Sequence, residues 1–336
     1  MRVIKFDTLK AIAMASVVIV HVYAGISFPK PGLFRQCFIA GVLGASMFLF
    51  AFISGWVIRP GRWNWNRLGR LLCIAVAANF LVNFSERASG FNPSHGYANV
   101  AHALWYMAVL LACKIILPVF RRPAVALCLS VLISWTSFLL PDSLGFNPLD
   151  RFLGFIPFFS LGYFVGNDKA ATRIADWLTK DSRHMIQYRV ALVLATLAFV
   201  LVKFTPLSSW IGAAIINARA FVGASWKMGV FRIAAHLWFG LWIVLWFKAV
   251  PNHETVVAKY GKRTLAVYLL HMIPIFLCAG FLKTHPRYWG WRYPIMTLSF
   301  FASMLLFHHK VSDLFSRLLN GVNPTNKAPS SQPSSR

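Results

Sequence analysis

Long apolar runs separated by short basic segments set the first constraint on this 336-residue chain. Each run is close to the length that a helix needs to cross a bilayer. A backbone in hydrocarbon must satisfy its own polar groups, so these runs predict helices. The third, fifth and sixth runs are short or interrupted. The ten runs, with boundaries uncertain by a few residues, are 10–28, 38–58, 68–84, 103–120, 124–140, 152–166, 187–204, 230–247, 264–282 and 291–309.

The low charge content excludes a soluble globule. Only 13% of the residues are charged, against roughly 25% in an average soluble domain. The sequence therefore predicts an all-α integral membrane protein, a bundle of about ten transmembrane helices. We expect one membrane domain over residues 1–319. Residues 320–336 are rich in Pro, Ser and Asn, which predicts a disordered cytoplasmic tail.

The basic residues predict the orientation. Lys and Arg number 34 against 9 Asp and Glu, a formal charge of +25. They cluster between the apolar runs and leave no solvated domain for nucleic acid, so topology and anionic lipid headgroups explain them better. With the N-terminus inside, 22 of the Lys and Arg residues fall on the inner side, 11 fall on the outer side, and Lys114 lies within the fourth run. An even number of spans then places both termini in the cytoplasm.

Three polar residues of the first span form the sharpest candidate site. Asp7 and Lys10 are three residues apart, which allows them to pair on one helical face. His21 follows Lys10 by almost three whole turns, so it shares that face at a distance of about 16 Å. Buried ionisable groups of this kind indicate function. The alternative is a histidine bonded between helices and a lysine that reaches the interface.

Arg67 and Arg70 form a second candidate at the inner end of the third span. Their spacing places them on one helical face, where they can form a fork for a phosphate or carboxylate. The alternative is that both arginines only anchor the protein by positive charge on the inner side, and on spacing alone this is the stronger interpretation. We keep both interpretations.

Other polar residues allow two interpretations each. Ser54, followed by a glycine, fits close helix packing, with a nucleophilic serine as the alternative. His271 either faces a cavity or is a satisfied core histidine. His102, Trp105 and Tyr106 open the fourth span as an interfacial belt or as a surface on which a sugar ring stacks. The five cysteines form no CxxC pair, and no zinc or phosphate-loop motif occurs, so we expect no metal.

These residues lie in segments that resemble the membrane acyltransferase-3 family, which O-acylates bacterial surface carbohydrates. Lys10 stands where arginine is commoner, and His102 lies one place before the usual histidine of the Leu-Trp segment. The similar segments follow the family order and are Phe6–His21, Phe48–Gly55, Arg67–Arg70, Leu104–Met107, Ser160–Gly166 and Tyr260–His271.

The resemblance implies transfer of an acyl group, commonly acetyl, from cytoplasmic acetyl-CoA to a sugar hydroxyl of an envelope or exported glycan. It also implies a multi-pass protein of the bacterial inner membrane, with acetyl-CoA as a substrate and no bound cofactor. The predicted catalytic residues are His21, whose neutral imidazole suits a general base, and Asp7, which lies at the start of the same helix. Cations at the inner face suit a polyanionic donor, which predicts that Lys10, Arg67 and Arg70 bind it.

The predicted acceptor-binding residues are His102, Trp105 and Tyr106, on the outer side. Whether His21 deprotonates the sugar or first accepts the acyl group stays open. The competing function is a transporter or flippase of a glycan or lipid without bond chemistry. A structural partner of a polysaccharide synthase is the third class. Dependence on acetyl-CoA distinguishes the enzyme from the transporter, and an effect of replacing His21 distinguishes it from the structural partner.

Overall fold

The computed structural model describes residues 3–25, 47–91, 104–136, 147–202, 226–306 and 309–320. Every regular element in these ranges is a helix. The first seven are α1 Ile4–Gly25, α2 Met47–Trp56, α3 Trp65–Ala88, α4 Trp105–Ile116, α5 Pro123–Thr136, α6 Asn147–Asn167 and α7 Thr172–Thr179. The next seven are α8 Met185–Val202, α9 Trp226–Ala249, α10 Val256–Gly261, α11 Thr264–Leu270, α12 Met272–Thr284, α13 Arg292–Leu305 and α14 His309–Asn320.

A helix overlaps each of the ten apolar runs, so the all-helical prediction is confirmed. The interrupted third run becomes the continuous 24-residue helix α3. Within the described ranges, two stretches are long and apolar enough to cross a membrane by length and composition, namely Trp65–Ala88 and Thr264–Thr284. The tail predicted over 320–336 lies outside the described residues, apart from Asn320 at the end of α14.

Large apolar side chains cover the outside of several helices. On α3, Leu72, Val76, Phe80 and Phe84 recur every four residues and are between 46% and 65% exposed. Residues four apart share a helical face, so they form one continuous apolar stripe. Polar groups, by contrast, are buried in the interior, among them Ser160, His271 and Ser303. An apolar exterior around a partly polar interior is the arrangement that suits hydrocarbon as the solvent.

Helices α2 and α6 cross at a pair of glycines. A Cβ added to Gly55 would collide with the carbonyl of Phe159, and one added to Gly162 would collide with the carbonyl of Phe52. Only residues without a side chain allow the two backbones this close. Close packing is therefore confirmed as the role of the small residue after Ser54.

Two lysines bind the end of the short helix α7. The ammonium of Lys248 donates to the carbonyls of Trp177 (2.7 Å) and Lys180 (3.1 Å). Lys5 donates to the carbonyl of Lys180 (3.5 Å) and pairs with Asp181 (3.6 Å). Burial lowers the pKa of Lys5, which precedes the first apolar run, while Asp181 opposes that shift. Cations stabilise a helix C-terminus because its last carbonyls lack partners in the helix.

Segments that the charge pattern assigns to one side of the membrane meet in the structure. Among the inner segments, Arg59 donates to the carbonyl of Gly166 (2.9 Å), and Gly61 donates to the carbonyl of Pro118 (2.8 Å). Among the outer segments, Lys283 donates to the carbonyl of Gly90 (2.7 Å). Each of these contacts therefore joins segments that the charge pattern places on the same side.

Candidate functional site

His21 and His271 form the polar centre of the bundle, although 250 residues separate them along the chain. Nε2 of His271 lies 3.2 Å from Nδ1 of His21, and the ring centroids are 5.1 Å apart. His271 is fully buried, whereas His21 is half-buried. The two rings therefore form a pair in which one member is enclosed and the other reaches toward accessible space.

Backbone carbonyls select the tautomer of each ring. Nδ1 of His271 lies 3.0 Å from the carbonyl of Val267 and 2.9 Å from that of Tyr268. Carbonyls only accept, so this Nδ1 carries the proton and Nε2 accepts from Nδ1–H of His21. The same Nδ1–H of His21 also points at the carbonyl of Val17, 3.0 Å away. The lone pair of neutral His21 is consequently on Nε2, as a general base requires.

A break in the helix positions His271. The apolar helical stretch Thr264–Thr284 is interrupted at His271, between the end of α11 and the start of α12. Pro274 lacks an N–H and its ring clashes with the carbonyl four residues earlier, that of Leu270, which explains the break. Ser303 of α13 donates to the carbonyl of His271 at 3.2 Å, directly beside the break. Pro274 thus accounts for the interruption, and Ser303 holds the backbone next to it.

A line of aromatic and polar side chains extends from the histidines to Ser54. The ring of Tyr268 lies 6.3 Å from that of His271 and 5.7 Å from that of Tyr106. The hydroxyl of Tyr106 lies 3.0 Å from Oγ of Ser54. Ser54 and His271, which the sequence offers as cavity residues, therefore belong to one connected interior cluster. We call Ser54, Tyr106, Tyr268, His271 and His21 the polar line.

The predicted interfacial belt is wrong for Trp105 and Tyr106, which are only 7% and 4% exposed. Both side chains fill the contact between α4 and α6. Trp105 packs on Phe155 with the guanidinium of Arg151 4.7 Å above its ring. Their role toward an acceptor stays a prediction. His102, the third predicted acceptor residue, lies outside the described residues.

Asp7 and Lys10 form the predicted ion pair, with 2.8 Å between Nζ and the carboxylate. Asp7 is buried, and its backbone packs so closely on Gly261 that a Cβ there would collide with the Asp7 carbonyl. Fourteen helical residues separate Asp7 from His21, or about 21 Å along the axis. Asp7 therefore cannot contact His21, and its direct effect is on Lys10 and on α10.

A pocket of about 560 Å³ opens beside the start of α3, the end of α4 and the start of α11. Four cations and no carboxylate line it, an electrostatic lining that suits an anion. We call it the cationic pocket. Its lining residues are Val57, Ile58, Arg59, Arg62, Trp63, Asn64, Arg67, Leu68, Leu71, Lys114, Pro118, Leu265 and Leu319.

The structure separates the two arginines that the sequence pairs. Arg67 lines the cationic pocket in the first turn of α3. Its backbone N–H donates to the side-chain oxygen of Asn64, the N-cap residue, at 2.9 Å. Arg70 is not a lining residue, because its guanidinium turns to the carbonyl of Leu319 in α14 (3.4 Å). The two side chains therefore form no shared fork in this structure, and donor binding by Arg70 stays a prediction. Lys10, at the inner end of α1, is not a lining residue either.

Sequence reasoning missed Arg59, Arg62 and Lys114 as members of this pocket. Lys114 carried a usable signal, since a single lysine inside the apolar fourth run is an expensive residue in a membrane. Arg59 and Arg62 resembled ordinary inner-side anchors. Only the fold shows that they converge with Lys114 on one cavity.

Two helices connect the cationic pocket to the polar line. On α4, Lys114 lines the pocket and Tyr106 lies eight residues earlier, a separation of about 12 Å. On α11, Leu265 lines the pocket and His271 follows six residues later, about 9 Å along the axis. An anion-binding cavity and an imidazole pair are thus held by the same rigid elements at neighbouring depths.

A helical bundle with an apolar exterior, an interior imidazole pair and an anion pocket defines a membrane protein equipped for group transfer. A family model described as an acyltransferase domain matches residues 3–309, most of the chain. The chain belongs to the acyltransferase-3 family of membrane proteins and is an acyltransferase. No curated protein and no solved structure gives a significant match.

Proposed function

We propose that this protein is an O-acyltransferase that moves an acyl group, commonly acetyl, from cytoplasmic acyl-CoA to a sugar hydroxyl of an envelope or exported glycan. The observation that carries the proposal is the relation of the imidazole pair to the cationic pocket. The pocket suits the phosphates of a CoA donor, and the imidazole suits the proton of the acceptor hydroxyl.

The proposed chemistry needs one base. Nε2 of His21 takes the proton of the sugar hydroxyl as its oxygen attacks the thioester carbonyl. The C–O bond forms, the C–S bond breaks, and the same proton passes from His21 to the departing thiolate. His271 accepts from Nδ1–H of His21 and so stabilises the imidazolium that exists between these two transfers. No metal is needed, because a thioester is already activated.

The donor is proposed to lie in the cationic pocket. Arg62, Arg67 and Lys114 would contact its phosphates, and the exposed indole of Trp63 offers a face for its base. The acyl arm would then extend along α4 and α11 toward the imidazole pair. Asp7 and Lys10 would act at the inner end of α1, where the ion pair fixes the lysine.

We propose a multi-pass protein of the bacterial inner membrane, with ten spanning helices and both termini in the cytoplasm. The grouping of inner segments with inner segments supports this orientation. Donor then enters from the cytoplasm and acceptor from the outer side. Family membership favours bond chemistry over the alternative of a transporter.

Sided vesicles and glycan mass spectrometry test the proposal together. In inside-out vesicles, external labelled acetyl-CoA should transfer label to a glycan in the lumen. In right-side-out vesicles, external acetyl-CoA should transfer nothing. Transport of the glycan without any gain of acyl mass would contradict the enzyme. A requirement for donor and acceptor on one side would contradict only the route across the membrane.

Rapid mixing separates the two forms of the chemistry. Mixing with labelled acetyl-CoA in the absence of acceptor should leave the protein unlabelled if His21 acts as a base. Stable label on wild-type protein that is absent from the His21→Ala variant would instead assign a covalent acyl-histidine.

A further inference from the structure

Helix α14 has one broad apolar face. Its apolar residues Val311, Leu314, Phe315, Leu318 and Leu319 recur at helical spacing, with Lys310, Asp313 and Arg317 between them. Such a pattern is typical of a helix that lies in the plane of a membrane surface. The acyltransferase match ends at residue 309, so nearly all of α14 lies beyond it.

The bundle covers only one edge of this face. Phe315 and Leu319, along one edge, pack against the core, whereas Leu314 and Leu318, along the other, are 56% and 51% exposed. Helix α14 packs on α3, whose exposed stripe includes Leu72. The uncovered edge of α14 therefore adds to the apolar exterior of the bundle.

The packed edge of α14 reaches the cationic pocket. Leu319 is one of its lining residues, and the carbonyl of the same residue accepts from Arg70 at 3.4 Å. The last carbonyls of a helix lack partners within it, and a cation there is favourable. Arg70 thus binds the end of α14, while Arg67, one turn earlier, lines the pocket.

We propose that α14 binds the surface of an anionic bilayer through Leu314 and Leu318, with Lys310 and Arg317 toward the headgroups, and forms a wall of the cationic pocket. Arg70 is a positioning residue that holds this wall and does not touch the donor. The membrane surface and the donor site are thereby parts of one structure. The role of the wall rests on the proposed function of the pocket, whereas the position of the helix does not.

Spin labels test the position of the helix without any activity measurement. In a full-length protein whose five cysteines are replaced, labels go at positions 314 and 318 and, as matched controls, at 313 and 317. The protein is reconstituted in phosphatidylcholine vesicles with phosphatidylglycerol. Labels at 314 and 318 should collide more with oxygen, and those at 313 and 317 more with a water-soluble nickel chelate. Equal aqueous exposure at all four positions would overturn the membrane contact.

A double-mutant cycle tests the role of Arg70. Arg70→Ala and Phe315→Asp, which detaches the packed edge of α14, should each raise the KM for acetyl-CoA roughly tenfold. The double variant should resemble either single variant, because both remove the same wall. When Arg67→Ala is combined with Phe315→Asp, the two fold-increases in KM should instead multiply. If the fold-increases also multiply for Arg70→Ala with Phe315→Asp, or if both single variants leave the KM unchanged, Arg70 is not a positioning residue.

The two tests separate the two proposals. If acetyl-CoA is not the donor, the wild-type protein itself transfers no acetyl group, but the spin labels still report whether α14 lies on the membrane. If the labels show α14 in water while the Arg67 variant raises the KM, the donor site stands and the surface helix is wrong. Folding of each variant is checked by its yield of monodisperse protein in detergent.

Discussion

The imidazole pair and the cationic pocket differ in how their geometry is held. His271 is fully buried, three backbone carbonyls fix the two rings, and Ser303 holds the backbone of His271. The pocket is lined in part by exposed arginines, such as Arg62 and Arg67, and long exposed side chains have many accessible rotamers. The imidazole pair depends on packing and the cationic pocket on charge. Single substitutions should therefore cause large losses of activity at the imidazole pair and smaller, graded losses at the pocket.

Replacing His21 should have the largest effect. His21→Ala removes the proposed base, and kcat should fall about a hundred- to ten-thousand-fold. His21→Gln keeps a side chain of similar size and should be equally inactive. Glycan mass spectrometry on cells that hold normal amounts of each variant gives the measurement. Near-normal acylation by either variant would show that His21 is not catalytic and that the imidazole pair is not the more sensitive of the two regions.

Replacing His271 should be the next largest change and should appear in kcat alone. His271→Leu keeps the volume but removes the acceptor for Nδ1–H of His21, which costs about 1.5–3 kcal/mol, or roughly ten- to a hundred-fold. His271→Gln restores an acceptor and should recover part of the rate. Steady-state kinetics with both substrates checks the result. A rise in the KM for donor with kcat unchanged would place His271 in binding instead.

Removing a pocket cation should act on donor binding by degrees. Lys114→Ala and Arg67→Ala should each raise the KM for acetyl-CoA roughly ten- to a hundred-fold, and more so at low ionic strength. Lys114→Arg keeps the charge and should cost much less. Arg121→Ala, an exposed inner-side cation outside the pocket, is the matched control. Equal effects of Arg121 and Lys114 would show that only total charge matters.

The smallest effect should come from the far end of the polar line. Ser54→Ala and Tyr106→Phe each remove one neutral hydrogen bond, worth about 0.5–1.5 kcal/mol. Thermal stability should fall slightly, and acyl transfer should change by less than roughly tenfold. Thermal unfolding and kcat on the same preparations measure both. Complete loss of activity in Ser54→Ala alone would revive Ser54 as a nucleophile.

Features set by local spacing could be read from the sequence. Hydrophobic run length located the helices that overlap the ten apolar runs, and a spacing of three gave the Asp7–Lys10 ion pair. The glycine after Ser54 marked a close helix crossing. Each depends on neighbours within one helix or on the demand of hydrocarbon for satisfied backbone groups.

Features set by tertiary contact could not be read in this way. Spans that are apolar on all sides carry little periodicity, so nothing local shows which face of α4 meets α6 and buries Trp105. The same spacing that puts Arg67 and Arg70 on one face cannot show that a helix about 250 residues later captures one of them. The sequence shows that Lys114 is costly to place in a membrane, but it does not show that Arg59 and Arg62 line the same pocket.

The separation of His21 and His271 also determines when the imidazole pair can form during synthesis. The two rings are 250 residues apart in the chain, and ribosomes add about 5–20 residues per second. Roughly 10 to 50 seconds therefore pass between the synthesis of the first histidine and that of its partner. Throughout this interval the nascent chain holds only half of the pair. The polar centre of the bundle is therefore complete only when almost all of the helices have been made.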